Sequence, residues 1–476
     1  MNATTERVKE VMANAKAAAG VFSQFNQEQT DQIVRAVYEA AFAARVRLAK
    51  MAQEETGIGI WQDKVIKNVI GSHFVYEDIR SLKTVGIISD DVRTGITEIA
   101  QPLGPIFAII PVTNPTSTTM FKILISLKTR NPLIISPSKR AAKCVAETAR
   151  ICYEAALAAN APDDCVQWAS DWSREETRQI MSHPDLALVL ATGGESLVKA
   201  AYSSGKPAIG VGAGNVPVFI ERSADVRHAV AAIMLSKTFD NGTVCASEQA
   251  IVVEQAIAAE VRQEFEAQHA YFLPAADLEK VGKVALDPET GVMSAAIVGK
   301  SVAAIAELAG ISVPAGARLL IAPLQGVGKK YPLSAEVLAP VIAWYEAADF
   351  EAAAKLCIDL NFFGGIGHTV SIHSNDQARI LEFANLMNAG RIVVNTPSSQ
   401  GAVGGICNTL HPSLTLGCGT GGNNITTDNI TARHLLNIQR IARRRSNERF
   451  DRFNVQLLFD EALDAAAVER RFNNNY

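Results

Sequence analysis

Between residues 105 and 220, short apolar runs alternate with helical stretches, and no other feature limits the fold as tightly. Pro105-Ile106-Phe107-Ala108-Ile109-Ile110-Pro111 carries no polar side chain, so it reads as a strand buried on both faces. A helix is expected over 116–128, a second strand over 131–136 and a second helix over 141–159. Apolar runs at 166–169, 186–191, 207–210 and 216–220 continue the series. Short apolar strands separated by helices indicate a doubly wound, largely parallel α/β sheet. A second set of such units follows Ala224, with strands at 317–322, 341–344, 369–372 and 392–395. The boundary between the two sets is expected near 222–226. A chain of 476 residues has room for two or three domains, and we divide it into 1–223, 224–430 and 431–476.

Outside these units the sequence carries less chemistry. Residues 1–80 show helical spacing, with Val8, Val11, Met12 and Ala15 on one face and Ile33, Val37 and Ala41 on another. Residues 94–100 alternate in part and read as an exposed strand. The 48% hydrophobic and 20% charged content is that of a water-soluble globular chain. A net charge of −4 offers no general attraction to nucleic acid or to an anionic membrane. The longest apolar run, near 103–112, is too short and too broken by proline to span a bilayer. The first twenty residues have charges throughout and no apolar centre, so they are not a secretory signal. Seven cysteines with no Cys-x-x-Cys suggest neither a disulfide framework nor a zinc knuckle. A reducing cytoplasm is the expected compartment.

Cys245 is the candidate nucleophile. It follows the turn Asp240-Asn241-Gly242 and precedes Ile251-Val252-Val253, so a tight turn lifts a thiol toward the start of a strand. Cys144, Cys152, Cys165 and Cys357 lie in apolar patterns and are expected in the core; Cys407 and Cys418 sit in Gly-rich loops where a thiol can approach a substrate. Asn114 comes just after the end of a buried strand, where ligands gather in such sheets. Thr192-Gly193-Gly194 lies between a strand and a helix, and a helix start with glycines and hydroxyls suits a pyrophosphate. His368 and His373 fall on opposite faces of one strand, so they are not expected to share a metal, and no other metal spacing occurs.

Residues 237–249 (KTFDNGTVCASEQ), 414–424 (LTLGCGTGGNN) and 434–439 (HLLNIQ) resemble the CoA-acylating branch of the aldehyde dehydrogenases. The similarity is nearest to the aldehyde dehydrogenase half of bifunctional aldehyde–alcohol dehydrogenases and to stand-alone acylating enzymes. It implies an aldehyde dehydrogenase-like fold: a Rossmann-type cofactor domain (1–223), an α/β catalytic domain (224–430) and a small oligomerisation arm. The arm would use strands near 92–101 and 434–443 and build a homodimer or homotetramer. Because the chain ends at Tyr476, the iron-dependent alcohol dehydrogenase half is expected to be absent. By the resemblance, Cys245 forms the thioester, and Asn114 with the Cys245 backbone N–H holds the oxyanion. Glu336, in Glu336-Val337-Leu338-Ala339-Pro340, meets the nicotinamide ribose, with Ala339 in place of the family's usual glycine. Ser136 and Lys139 lie where many NAD-specific relatives bind the adenine ribose through an acid; a lysine there favours NADP, with NAD as the alternative.

The block that supplies the water-activating glutamate in hydrolytic relatives aligns with residues 208–215 (AIGVGAGN), which contain no acid. Water, with a pKa near 15.7, needs a base to cleave a thioester. A thiol of pKa about 8.5 supplies its own thiolate. Coenzyme A is therefore the expected acceptor, and no metal is expected. The expected reaction oxidises a short aldehyde, sulfoacetaldehyde or acetaldehyde, to its acyl-CoA. Arg391 and the loop 396–407 are the candidates for holding an anionic head group. The alternatives are a hydrolytic aldehyde dehydrogenase, an acylating succinic semialdehyde dehydrogenase, a redox-inactive binding protein, and a docking role for the N-terminal segment or for Phe453, Val455, Leu457, Leu458, Phe459 and Leu463.

Overall fold

In the computed structural model, residues 5–287, 291–444, 456 and 459–473 are described. Two parallel sheets and one antiparallel sheet organise them. The first parallel sheet has five strands, β3 (Ile106–Ile110), β4 (Leu133–Pro137), β5 (Val166–Trp168), β6 (Leu188–Thr192) and β7 (Ala208–Val211), in the order β5-β4-β3-β6-β7. All five residues of β3 are buried, which is why its sequence lacks the alternation of a one-sided strand. Helices Gln27–Ala43, Pro115–Lys128 and Ala142–Ala158 cover one face, and Glu6–Phe22 and Arg174–Met181 cover the other. Val8, Met12 and Ala15 are fully buried there, as their spacing predicts.

The second parallel sheet has seven strands: β8 (Val216–Ile220), β9 (Glu248–Glu254), β10 (Ala270–Phe272), β11 (Leu319–Pro323), β12 (Val341–Ala347), β13 (Gly367–His373) and β14 (Ala389–Val394). Their order is β10-β11-β12-β9-β8-β13-β14. One expectation changes here. The run at 216–220 was read as the last strand of the first series, with the boundary near 222–226. It pairs instead with β9 and β13, so the chain crosses between sheets at 212–215. An apolar run reveals a buried strand but not its neighbours.

The third sheet joins β1 (Gly86–Asp91), β2 (Ile96–Pro102) and β15 (Leu436–Ala442), all antiparallel. The two strands expected for the arm do pair with each other, from Leu436↔Pro102 to Ala442↔Ile96. Of the apolar tail set, Phe453, Val455, Leu457 and Leu458 lie outside the described residues; Phe459 is exposed and Leu463 half-buried. Among the described residues no helix is long and apolar enough to cross a membrane.

Candidate active site

The carboxyl ends of the first sheet face the amino ends of the second. β3 runs into Asn114, the N-cap of helix Pro115–Lys128. β4 runs into Ser136-Pro137-Ser138-Lys139, and β6 into Thr192-Gly193-Gly194, ahead of helix Glu195–Tyr202. β3 lies between β4 and β6, so these three loops open on one crevice, the usual ligand position in a doubly wound sheet. From the other side, Cys245 precedes β9, residues 212–215 precede β8, and Glu336 precedes β12.

One cavity of about 1380 Å³ is lined by Cys245, Asn114, Glu336, Ser136, Lys139, Thr192, Gly193 and Gly194. Residues expected to act together from positions 222 apart in the chain therefore share one space. A second, small cavity of about 30 Å³ adjoins it at Cys245 and Asn114 and is lined by Lys67, Ile70, Phe239, Val244, Ser399, Gln400, Val403, Leu414 and Leu416. Cys245 thus sits where a large polar-ended chamber meets a small, mainly apolar one.

The turn before the cysteine is strained and pinned. Asp240 (φ 49°) and Asn241 (φ 52°) both adopt the left-handed conformation, which Asp and Asn tolerate better than other non-glycine residues. Asp240 accepts from the Ile60 N–H (2.7 Å), from Lys64 Nζ (2.9 Å), from Lys67 Nζ (2.5 Å) and from Thr243 Oγ1 (2.7 Å). Both lysines and the aspartate are buried.

Burial pushes the Cys245 thiol up to about 12; the charges of Glu336 and Cys418 push the same way and Arg391 opposes them. The unliganded thiol is thus held protonated at neutral pH, and it needs a proton acceptor when it attacks. Burial also raises Glu336 to about 7, against the Gly214 N–H and Lys237. The Gly214 N–H donates to Glu336 Oε1 at 2.9 Å. The acid-free stretch 208–215 is packed against the nucleophile: a Cβ on Gly214 would lie 2.4 Å from the Cys245 carbonyl oxygen and 3.1 Å from the His368 ring.

The sequence pattern sets His368 and His373 on opposite faces of one strand and gives His368 no other role. Its place on β13 brings its ring, like the Cys245 carbonyl oxygen, against Gly214. Burial lowers its pKa to about 3, with Arg391 adding to the effect, so the ring is neutral. Nδ1 lies 2.9 Å from Thr369 Oγ1, and Nε2 is buried without a partner. The available signal was a histidine at the amino end of a strand in the second sheet, which matters only once that end is known to face the site. Among the described residues no group of three or more His, Cys, Asp or Glu could hold a metal.

Arg391 departs from expectation. It lies buried on β14, and all five of its N–H groups are engaged. Nε donates to Thr369 Oγ1, one terminal nitrogen to the Thr427 carbonyl and Asn429 Oδ1, and the other to the His368 and Gly417 carbonyls. It has no donor left for an anionic head group. The loop it was grouped with fares better, since Ser399, Gln400 and Val403 do line the small cavity.

A doubly wound domain and a second parallel sheet meeting at a cysteine, an asparagine and a glycine-rich helix start define an aldehyde dehydrogenase-like enzyme. Residues 1–409 match the aldehyde dehydrogenase family, and the chain belongs to it. It is 45% identical to the bifunctional aldehyde-alcohol dehydrogenase AdhE of Escherichia coli over 496 aligned positions, a match covering 100% of this chain and 55% of that protein. The chain thus spans about half the length of such relatives. The crystal structure of an acetylating aldehyde dehydrogenase from Geobacillus thermoglucosidasius is 46% identical, with a TM-score of 0.90 over 93% of this chain and 97% of that one. A sulfoacetaldehyde dehydrogenase (acylating) from Bilophila wadsworthia is 37% identical over 90% of this chain and 94% of that protein.

Proposed function

We propose that the protein is a CoA-acylating aldehyde dehydrogenase that converts a two-carbon aldehyde, a nicotinamide dinucleotide and coenzyme A into an acyl-CoA. The observation that carries this reading is Cys245 at the junction of the two cavities, with the stretch 208–215 beside it bearing no carboxylate. Cys245 Sγ bonds to the aldehyde carbon. The carbonyl oxygen takes up the negative charge and rests on the Asn114 amide and the Cys245 N–H, the kind of preorganised donor pair that lowers such barriers. The thiol proton has an acceptor in the same cavity, the Glu336 carboxylate, whose charge already acts on Cys245. The acyl group left on Cys245 passes to the coenzyme A thiol.

The residues present suit a dinucleotide. A Cβ on Gly194 would meet nothing within 4 Å, so the backbone at the start of helix Glu195–Tyr202 is open to a phosphate. Lys139 borders the same cavity and supports a 2′-phosphate, hence NADP over NAD; Glu336 supports ribose hydroxyls. The bound dinucleotide supplies the hydride acceptor. Charged carboxylates accept hydrogen bonds more strongly than neutral ones. Glu336, raised to about 7, is protonated below that pH and charged above it. Dinucleotide affinity should therefore rise roughly fivefold between pH 6 and pH 8. Fluorescence titration would show this slope, and Glu336→Gln should flatten it; an unchanged slope in that variant would remove the assignment.

The small cavity favours acetaldehyde over sulfoacetaldehyde. Its volume of about 30 Å³ exceeds the roughly 10–15 Å³ that admits one water, which leaves room for a methyl group. Two cations act near Cys245, Lys67 in the small cavity and Arg391 through its charge, and neither is free to meet a sulfonate. Arg391 is fully engaged, and Lys67 spends its three N–H groups on Asn114, Asp240 and Thr243. The three-stranded arm sheet supports assembly into a homodimer or homotetramer, and the seven free cysteines support a reducing cytoplasm.

An acylating enzyme also runs backward, because a thioester is activated toward hydride and a free carboxylate is not. Acetyl-CoA should oxidise NADPH or NADH in the presence of the enzyme, releasing acetaldehyde and coenzyme A. No oxidation with acetyl-CoA or the other short acyl-CoAs would count against the reading.

A further inference from the structure

The ammonium of Lys67 is buried behind Asn114. Its Nζ lies 2.7 Å from Asn114 Oδ1, and both residues line the small cavity with Cys245. An asparagine amide can turn either end toward a partner, but an ammonium only donates. The Asn114 oxygen must therefore face Lys67, which leaves Nδ2, the only end that can stabilise an oxyanion, as the free end. A lysine in water would not hold this geometry. Here Asp240 Oδ2 at 2.5 Å and Thr243 Oγ1 at 2.9 Å anchor the same ammonium.

The backbone is fixed on both sides of this contact. Helix Trp61–Val69 continues through a π-helical turn at Ile70–Phe74 and on into Val75–Ile79. Such turns redirect side chains near functional sites. At Gly71 the turn presses onto the helix that follows Asn114: a Cβ there would lie 2.4 Å from the Ser117 carbonyl oxygen. Asn68, next to Lys67, accepts from Thr116 Oγ1 at 2.7 Å. Lys67 and Asn68 therefore grip residues 114–116 from one helical turn.

We propose that Lys67 is a positioning residue for the reaction: it holds Asn114 Oδ1 so that Nδ2 is delivered to the carbonyl oxygen of the aldehyde at Cys245. The cation also polarises the amide and makes Nδ2 a stronger donor. The inference rests on the oxyanion role of Asn114. It adds that the role depends on a charge that touches no substrate atom.

The test is a double-mutant cycle in the full-length protein, read as kcat and as KM for dinucleotide and coenzyme A. Lys67→Met should lower kcat 10- to 100-fold and leave both KM values within twofold. Asn114→Ala should lose at least as much, and Lys67→Met should cost less than threefold further in the Asn114→Ala background. Lys67→Met leaves Asp240 paired with Lys64; should that variant still not fold, Lys67→Gln, which can donate to Asp240 but carries no charge, should lower kcat at least threefold with both KM values unchanged, and an undiminished kcat there would overturn the proposal. Full multiplication of the two effects would overturn the proposal, because Lys67 would then act independently of the amide. So would a near-normal kcat in the lysine variant beside an impaired Asn114→Ala. A fully active Asn114→Ala would instead overturn the oxyanion reading, and the positioning role with it.

Discussion

Cys245→Ala is expected to lower aldehyde-dependent turnover by at least about 10⁴-fold, the scale seen when a covalent nucleophile is removed, with dinucleotide binding intact. The size follows from the role. Removing one oxyanion donor costs about 10²–10³-fold, because the reaction path survives in weakened form, but removing the sulfur removes the path. Six other thiols cannot replace it. Cys144, Cys152, Cys165 and Cys357 are buried in the core, and burial pushes each of them upward. Cys418 is buried and donates to the Leu416 carbonyl, and Cys407 is exposed and absent from the lining of both cavities. Mass spectrometry of enzyme mixed with acetyl-CoA provides the second readout. Acylation should fall on the Cys245 peptide and disappear in Cys245→Ala. Retained turnover in that variant would end the assignment.

Asp240→Ala is expected to destabilise the protein by about 3–5 kcal/mol, the cost of leaving buried charge without its partner. Lys64 and Lys67 both rest on this carboxylate, and all three groups are 3% exposed or less. Burial already lowers Lys67 to about 8, with Asp240 as the largest opposing influence, so losing Asp240 lets the desolvation prevail. Alanine also tolerates the φ of 49° less well than aspartate does. An exposed pair such as Lys355–Asp359, at 2.6 Å, makes the contrast, since breaking it should change stability little. Thermal unfolding of Asp240→Ala beside Lys355→Ala measures the difference. Equal midpoints would mean that the buried network adds no stability.

Some of this organisation was legible in the sequence for a physical reason. Strands buried on both faces must be apolar without interruption, so β3, β4 and β6 stand out, and ligand loops follow their carboxyl ends. The Asp-Asn-Gly turn marks itself because left-handed backbone draws those residue types. What escaped is what depends on partners far away in the chain. β8 joined the second sheet, because apolar character carries no information on pairing. β1, Gly86–Asp91, is largely exposed and partly charged, so its pattern resembles a loop. Arg391 read as a free cation for an anionic head group; its strand and its five acceptors come from four separate segments. Lys64 and Lys67 sit three apart on a helix, and nothing in their local pattern marks a site. Only the fold brings Asp240, 173 residues from Lys67, against them.

The central claim is that a thiol, not water, accepts the acyl group from Cys245. The direct measurement is reduction of NADP and of NAD by acetaldehyde, sulfoacetaldehyde and succinic semialdehyde, each with and without coenzyme A. Steady reduction only when coenzyme A is present, fastest with acetaldehyde and with NADP, is the predicted result. Sustained reduction without coenzyme A, with free acid as the product, would contradict it. Water would then be the acceptor, and a base other than one from residues 208–215 would have to activate it.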